Sequence, residues 1–219
     1  MKIGTDGVLL GAWASIQNKP KSILDIGTGT GLLSLMLAQR SEAENIEGLE
    51  IDEDAFEQCV ENFETSPWAD RLFCYHAGLD EFVEEIEVPY DLIISNPPFY
   101  SEVVSSGNIS RDTARQNQSL PFNELLESVS KLLSPEGLFT VIIPYKEELV
   151  FIKLASSFRL FPTRVLRVKG NKDAEIKRSL LEFSFKEEEF SEDELIIELE
   201  RHKYTQEYIM LTKDFYLKM

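Results

Sequence analysis

At 219 residues, with 43% hydrophobic and 11% aromatic residues, the chain is long enough for one α/β domain with a developed core and too apolar to be disordered. A net charge of −17 argues against a protein that coats nucleic acid without specificity, and no apolar run approaches the roughly 18 residues that cross a bilayer. The start, MKIGTDGVLLGAWAS, matches a secretory signal poorly because Asp6 and Gly7 interrupt its apolar patch. Cys59 and Cys74 have no His or Cys partners at metal spacing, so they read as reduced core residues of a cytoplasmic protein, with no metal site.

In chain order, SILDIG (22–27) reads as a buried strand, GTGTG as a turn, and TGLLSLMLAQR (30–40) as a helix with Thr30 as a possible cap. Strand 45–51, helix 53–65, strand 71–76, a short helix near 80–87 and strand 90–95 follow. The polar stretch 100–119 is long enough to be a functional loop. Helix 122–133, strand 137–143 and helix 145–156 complete an alternation that implies a parallel, helix-covered sheet. After residue 157 the pattern changes. RLFPTRVLRV and RSLLEFSF predict an antiparallel hairpin, followed by a short strand, IIELE, and a terminal helix with Tyr204, Tyr208, Leu211 and Phe215 on its apolar face. The expectation is a Rossmann-like α/β fold: a mostly parallel seven-stranded sheet with an antiparallel C-terminal hairpin and helices on both faces. We read 1–219 as a single domain, with 1–157 the cofactor-binding and catalytic core and 158–219 the hairpin and terminal helix.

Charge is unevenly spread. Residues 41–94 hold seventeen Asp or Glu against Arg71 alone, whereas 153–178 hold eight Lys or Arg against Asp173 and Glu175. One part repels phosphate and another can attract it, unless both are ordinary solvated surfaces.

LDIGTGTG sets Gly27, Gly29 and Gly31 between a strand and a helix, where glycine lets the backbone approach a ligand. The dinucleotide pattern G-x-G-x-x-G fails in both registers, ending on Leu32 or Ser34. A nicotinamide dehydrogenase is therefore disfavoured. With Asp25 just before it, the loop instead resembles motif I of class I S-adenosylmethionine-dependent methyltransferases. Glu50 ends the next strand, 19 residues beyond Gly31, where a carboxylate can accept from ribose hydroxyls. After the third strand the family often carries an acidic residue that contacts the adenine amine. Here that position is Gly78, followed by Leu79, so either Asp80 or the backbone must substitute.

The fourth strand ends in Asn96-Pro97-Pro98-Phe99. An exocyclic adenine amine is a poor nucleophile because its lone pair is delocalised. The Asn96 side-chain oxygen, which also borders the cofactor, and the Pro97 carbonyl would accept its N–H groups. The two prolines fix that carbonyl's direction, and Phe99 offers a ring on which a planar base stacks. N-P-P-[FY] is shared by adenine-N6 methyltransferases of DNA and RNA and by glutamine-N5 methyltransferases of proteins.

More specific are MKIGTDGVLLGAWA, NFETSPWADRL, DLIISNPPFY, RDTARQNQSLPFNELL and YTQEYIMLTKDFYLKM. Together they resemble the bacterial tRNA1(Val) (adenine(37)-N6)-methyltransferases over nearly the whole chain. The resemblance implies S-adenosylmethionine as methyl donor and the anticodon loop of a valine tRNA as substrate, acted on by a cytoplasmic monomer without membrane or metal partners. Arg111, Arg115 and Arg178 are then candidates for phosphate contacts. Relatives usually carry a further segment before MKIGTDG, which makes Met1 look like an internal methionine. A glutamine-N5 methyltransferase of a release factor and a non-catalytic RNA-binding relative stand as alternatives; the first normally has a separate helical N-terminal domain.

Overall fold

The computed structural model describes residues 4–86, 88–98 and 120–217. Its first helix, α1 (Thr5–Trp13), is followed by β1 (Ser22–Ile26), α2 (Leu32–Arg40), β2 (Asn45–Glu50), α3 (Glu53–Glu64), β3 (Leu72–His76), α4 (Leu79–Glu85) and β4 (Tyr90–Ser95). Then come α5 (Phe122–Leu132), β5 (Leu133–Pro144), a 3-10 turn (Tyr145–Glu147) and α6 (Glu148–Ser157). The chain closes with β6 (Phe161–Asn171), β7 (Ile176–Ser184), β8 (Ser191–Glu200), β9 (Lys203–Tyr204), α7 (Gln206–Thr212) and a 3-10 turn (Lys213–Phe215).

All nine strands among the described residues join one sheet in the order β3-β2-β1-β4-β5-β7-β6-β8-β9. The first five are parallel, and β7 lies antiparallel between β5 and β6. The Rossmann-like class is as expected, but the sheet has nine strands rather than seven. The difference lies at the C-terminal edge. The acidic SEDE that precedes IIELE is itself strand: β8 runs parallel to β6 from Arg164↔Ser191 to Asn171↔Glu198, and β9 pairs with β8. A run of four acidic or polar residues has poor intrinsic strand preference. Basic side chains on β6 offset it, as Arg167 reaches Glu192 and Lys169 reaches Glu194.

Apolar residues on opposite faces of the strands bury two helical layers, following the alternation of side chains across a strand. Leu24, Ile26, Ile93, Val141, Ile143 and Leu181 pack against α4, α5 and α6, with Phe151 at the centre. Ile23, Ile46, Leu92, Ile94, Ile142 and Leu180 face α1, α2, α3 and α7. The terminal helix is shorter than expected, since Tyr204 belongs to β9 and Phe215 to the 3-10 turn, but it docks with Tyr208 buried and its ring 5.2 Å from that of Tyr204; Thr205 caps it by accepting from the Tyr208 amide.

The strand order turns at β1. β2 lies on one side and β4 on the other, so the carboxyl ends of β1 and β4 flank a crevice of the kind that binds ligands in open α/β sheets. No helix of the described residues is long and apolar enough to cross a membrane.

Candidate active site

Asp25, the glycine loop, Glu50 and Asn96 all stand at the ends of β1, β2 and β4, around that crevice. Asp25 is fully buried near the end of β1. Its Oδ2 accepts from Thr28 Oγ1 at 2.6 Å and from Ser34 Oγ at 2.9 Å. Its Oδ1 is buried with no hydrogen-bond partner. Burial raises its pKa to about 6 from 3.8, against the opposing effect of the Thr28 and Ser34 hydroxyls. A buried carboxylate with a spare oxygen is complementary to a cationic group.

Gly27, Gly29 and Gly31 all have positive φ, at 71°, 60° and 84°. Side chains with a Cβ rarely adopt that conformation. A Cβ at Gly27 would meet nothing within 4 Å, so the loop opens onto free space there. At Gly31 it would lie 2.5 Å from Phe63 and 3.0 Å from Cys59, both buried in the core. Gly31 is also the residue that enters α2, in the left-handed conformation, so Thr30 is not the cap. The Thr30 carbonyl instead accepts from Asn62 of α3 at 2.8 Å.

Glu50 ends β2 with its carboxylate turned onto the loop. Oε2 accepts from the Gly29 amide at 2.8 Å, and Oε1 accepts from the Ile51 and Asp52 amides, each at 2.9 Å. Three backbone donors fix the side chain and leave about one of its four or so lone-pair positions for a ligand hydroxyl. Asp52 caps α3 by accepting from the Ala55 amide.

Gly78 precedes α4, and an ideal Cβ there would lie 2.7 Å from Asp80 Oδ1. The Asp80 carboxylate thus fills the place that a longer side chain at position 78 would take. Leu79 is buried in the core beside it. In the neighbouring β2–α3 turn, His76 Nε2 lies 3.1 Å from the Ile51 carbonyl, and its ring stacks on Phe56.

Across the crevice, Ser95 Oγ donates to the Ile26 carbonyl at 2.8 Å, tying the end of β4 to the end of β1. Asn96 follows, partly exposed; Pro97 is buried and Pro98 exposed. Phe99, Arg111 and Arg115 lie outside the described residues. Arg178 lies near the start of β7 opposite Pro144, at the same edge as Asn96, and its Nε donates to Asp6 of α1 at 2.8 Å. It therefore anchors the first helix as well as facing the site edge.

Three features escaped the reading of the sequence. Ser34, which breaks the dinucleotide pattern, is with Thr28 one of the two residues that hold Asp25. Gly48 in β2 makes room for Thr28, whose atoms would be 2.8 to 3.0 Å from a Cβ there. Part of the basic stretch is neutralised: Arg164 binds Glu182, Arg167 binds Glu148 and Glu192, and Lys169 binds Glu194. A buried serine nine residues after a motif aspartate was the available signal for the first; nothing local marked the other two.

A family model described as the methyltransferase small domain matches residues 7–159. A protein of Flavobacterium johnsoniae named tRNA1(Val) (adenine(37)-N6)-methyltransferase is 61% identical over 220 residues, covering 100% of this chain and 94% of that protein. A protein of the same name from Bacteroides fragilis is 47% identical over 221 residues, covering 100% and 92%. Among solved structures, an Agrobacterium tumefaciens protein described as a predicted O-methyltransferase superimposes with a TM-score of 0.73 at 19% identity, over 95% of this chain and 96% of that one. That likeness concerns the fold.

Proposed function

The chain belongs to the methyltransferase small domain family, and from that premise we propose that it methylates the exocyclic N6 amine of adenine 37 in the anticodon loop of a valine tRNA. Relatives carrying that activity in their names match the full length of the chain at up to 61% identity. The observation that carries the reading is the placement of Asn96-Pro97 at the end of β4, tied by Ser95 to the crevice that Asp25, the glycine loop and Glu50 line.

S-adenosylmethionine is the methyl donor and supplies an electrophilic methyl group on a positively charged sulfur. The residues present fit it. Asp25, with its unpartnered buried oxygen, suits the ammonium end of the methionine moiety. The open space at Gly27 admits a ligand against the backbone. Glu50 retains acceptor capacity for a ribose hydroxyl, and Asp80, leaning over Gly78 and Leu79, offers an acceptor for the adenine amine.

On the substrate side, Asn96 Oδ1 and the Pro97 carbonyl accept the two N–H groups of the target amine and draw its nitrogen toward tetrahedral geometry. Both acceptors gain strength as positive charge builds on that nitrogen, so each contributes more in the transition state than in the ground state. No general base is needed during transfer, because the alkylated amine sheds its proton to water afterwards. Phe99 supplies the ring under the base, and Arg111, Arg115 and Arg178 meet the phosphates of the loop. Adenine 37 lies in a single-stranded loop, so presenting it costs less unstacking than in a duplex. We take the protein to act as a cytoplasmic monomer, with residues 1–157 as the catalytic core and 158–219 as its extension.

The test is transfer of radiolabelled methyl to a valine tRNA transcript, to the same transcript with guanine at position 37, and to a release factor. Label confined to the adenine-37 transcript is expected. Label on the release factor would replace this reading with glutamine-N5 methylation, and label on both transcripts would refute the assigned position.

A further inference from the structure

The edge of the sheet that holds Asn96 also carries an aromatic ring with no part in the chemistry above. In the β4–β5 register Ser95 faces Val141, which sets Asn96 level with Ile142. β5 continues through Ile143 and Pro144, and Tyr145 then opens the 3-10 turn. At about 3.3 Å per residue, Tyr145 stands roughly 10 Å beyond Asn96 along the strand direction, on the solvent side of the carboxyl edge. The residue is 40% exposed.

Two features hold the ring. Pro144, at φ −58°, restricts the backbone just before it. The Arg167 guanidinium lies over the ring, 5.9 Å from its centroid. Arg167 is itself fixed. Its Nε donates to both Glu148 oxygens at 3.1 Å and its Nη2 to Glu148 Oε1 at 2.7 Å, while Nη1 reaches Glu192 at 3.0 Å. Glu148 is only 2% exposed and also accepts from Ser179 Oγ at 2.5 Å. Arg167 cannot turn to a phosphate without leaving a buried carboxylate poorly paired. Of this pair, the tyrosine ring is the group with capacity left for a ligand.

The charge balance points the same way. In a chain of net charge −17, Arg164, Arg167 and Lys169 all face carboxylates. A polyanionic substrate at this edge also gains from contacts that do not depend on charge, and a base stacked on an aromatic ring is such a contact.

We propose that Tyr145 is a positioning residue that stacks on the nucleobase adjoining the target adenine and holds that nucleotide while the adenine is presented to Asn96. The proposal rests on the reading of this site as an RNA adenine-N6 methyltransferase.

The experiment uses the anticodon stem-loop of valine tRNA, intact and with an abasic nucleotide on either side of the target adenine. Wild type, Tyr145→Ala and Tyr145→Phe are compared. On intact RNA, Tyr145→Ala is expected to raise KM for RNA about ten- to hundredfold. S-adenosylmethionine affinity should be unchanged, and Tyr145→Phe should restore KM to within about twofold. With the stacked base removed, wild type should become as poor as Tyr145→Ala, and the substitution should cost nothing further. An unchanged KM in Tyr145→Ala, or the same loss on both abasic RNAs as on intact RNA, would overturn the proposal while leaving the adenine-N6 reading in place. A wild-type protein that binds S-adenosylmethionine yet methylates no form of the RNA would overturn both.

Discussion

The two halves of the sheet use charge in opposite ways. On the side of β3, β2, β1 and β4, Asp25 keeps a buried oxygen without a partner, and Glu50 retains capacity beyond its three backbone donors. On the side of β7, β6 and β8, Glu182 and Glu148 are buried too, yet each is met by a multiply bonded arginine. A site leaves polar capacity unspent where a ligand is to supply the partner. A structural extension spends it within the fold. The contrast explains why Arg164, Arg167 and Lys169 offer little free positive charge, whereas Asp25 and Glu50 keep acceptor capacity.

This contrast can be broken at several points. The largest stability effect is expected for Arg167→Ala, which strands Glu148 inside the protein. Removing one partner of a buried pair costs about 3–5 kcal/mol, so urea unfolding should show a loss of that order, and a loss below about 1 kcal/mol would mean that Glu148 is not held as described.

Asp25→Asn tests the other half. The folded-state pKa of Asp25 is raised to about 6, so its protonated form favours folding below pH 4 and that contribution is lost as pH rises through 6. The shift corresponds to roughly 3 kcal/mol. In the ligand-free protein, Asp25→Asn should flatten the fall in stability between pH 4 and pH 6.5, while S-adenosylmethionine affinity drops. An unchanged pH profile in thermal unfolding would contradict the assignment.

Asp80→Ala should weaken S-adenosylmethionine binding about tenfold, the scale of one charge-assisted hydrogen bond, without altering the unfolding midpoint; titration calorimetry decides it. The smallest effect is expected for Lys169→Ala, whose partner Glu194 is substantially exposed. Such pairs contribute about 0–1 kcal/mol, and RNA affinity measured by filter binding should stay unchanged. A clear loss of RNA affinity would return this stretch to the substrate surface.

What could be read from the sequence divides along the same line. The turn formed by Gly27, Gly29 and Gly31 was legible because its conformation depends on consecutive backbone positions, and the turn chemistry is written within a few residues. Most strands and helices were legible from their apolar periods. The first half of β8 was not, since its acidic start is strand only because Arg167 and Lys169 stand across from it on β6. The pairing of Arg178 with Asp6 spans 172 residues, beyond the reach of any local pattern. α1 was obscured by two glycines that lower helix propensity. In the fold Gly7 and Gly11 let α1 approach Leu32 and Met36 of α2 closely, and Arg40 closes its end by donating to the Gly11 and Ala14 carbonyls.

The central claim is that the end of β4 does the chemistry while the ends of β1 and β2 hold the methyl donor. The most direct measurement is single-turnover methyl transfer by Asn96→Ala, paired with its S-adenosylmethionine affinity. The account predicts transfer slowed by at least about a hundredfold, with donor affinity within a few-fold of wild type and the fold intact by circular dichroism. Transfer at the wild-type rate would contradict it.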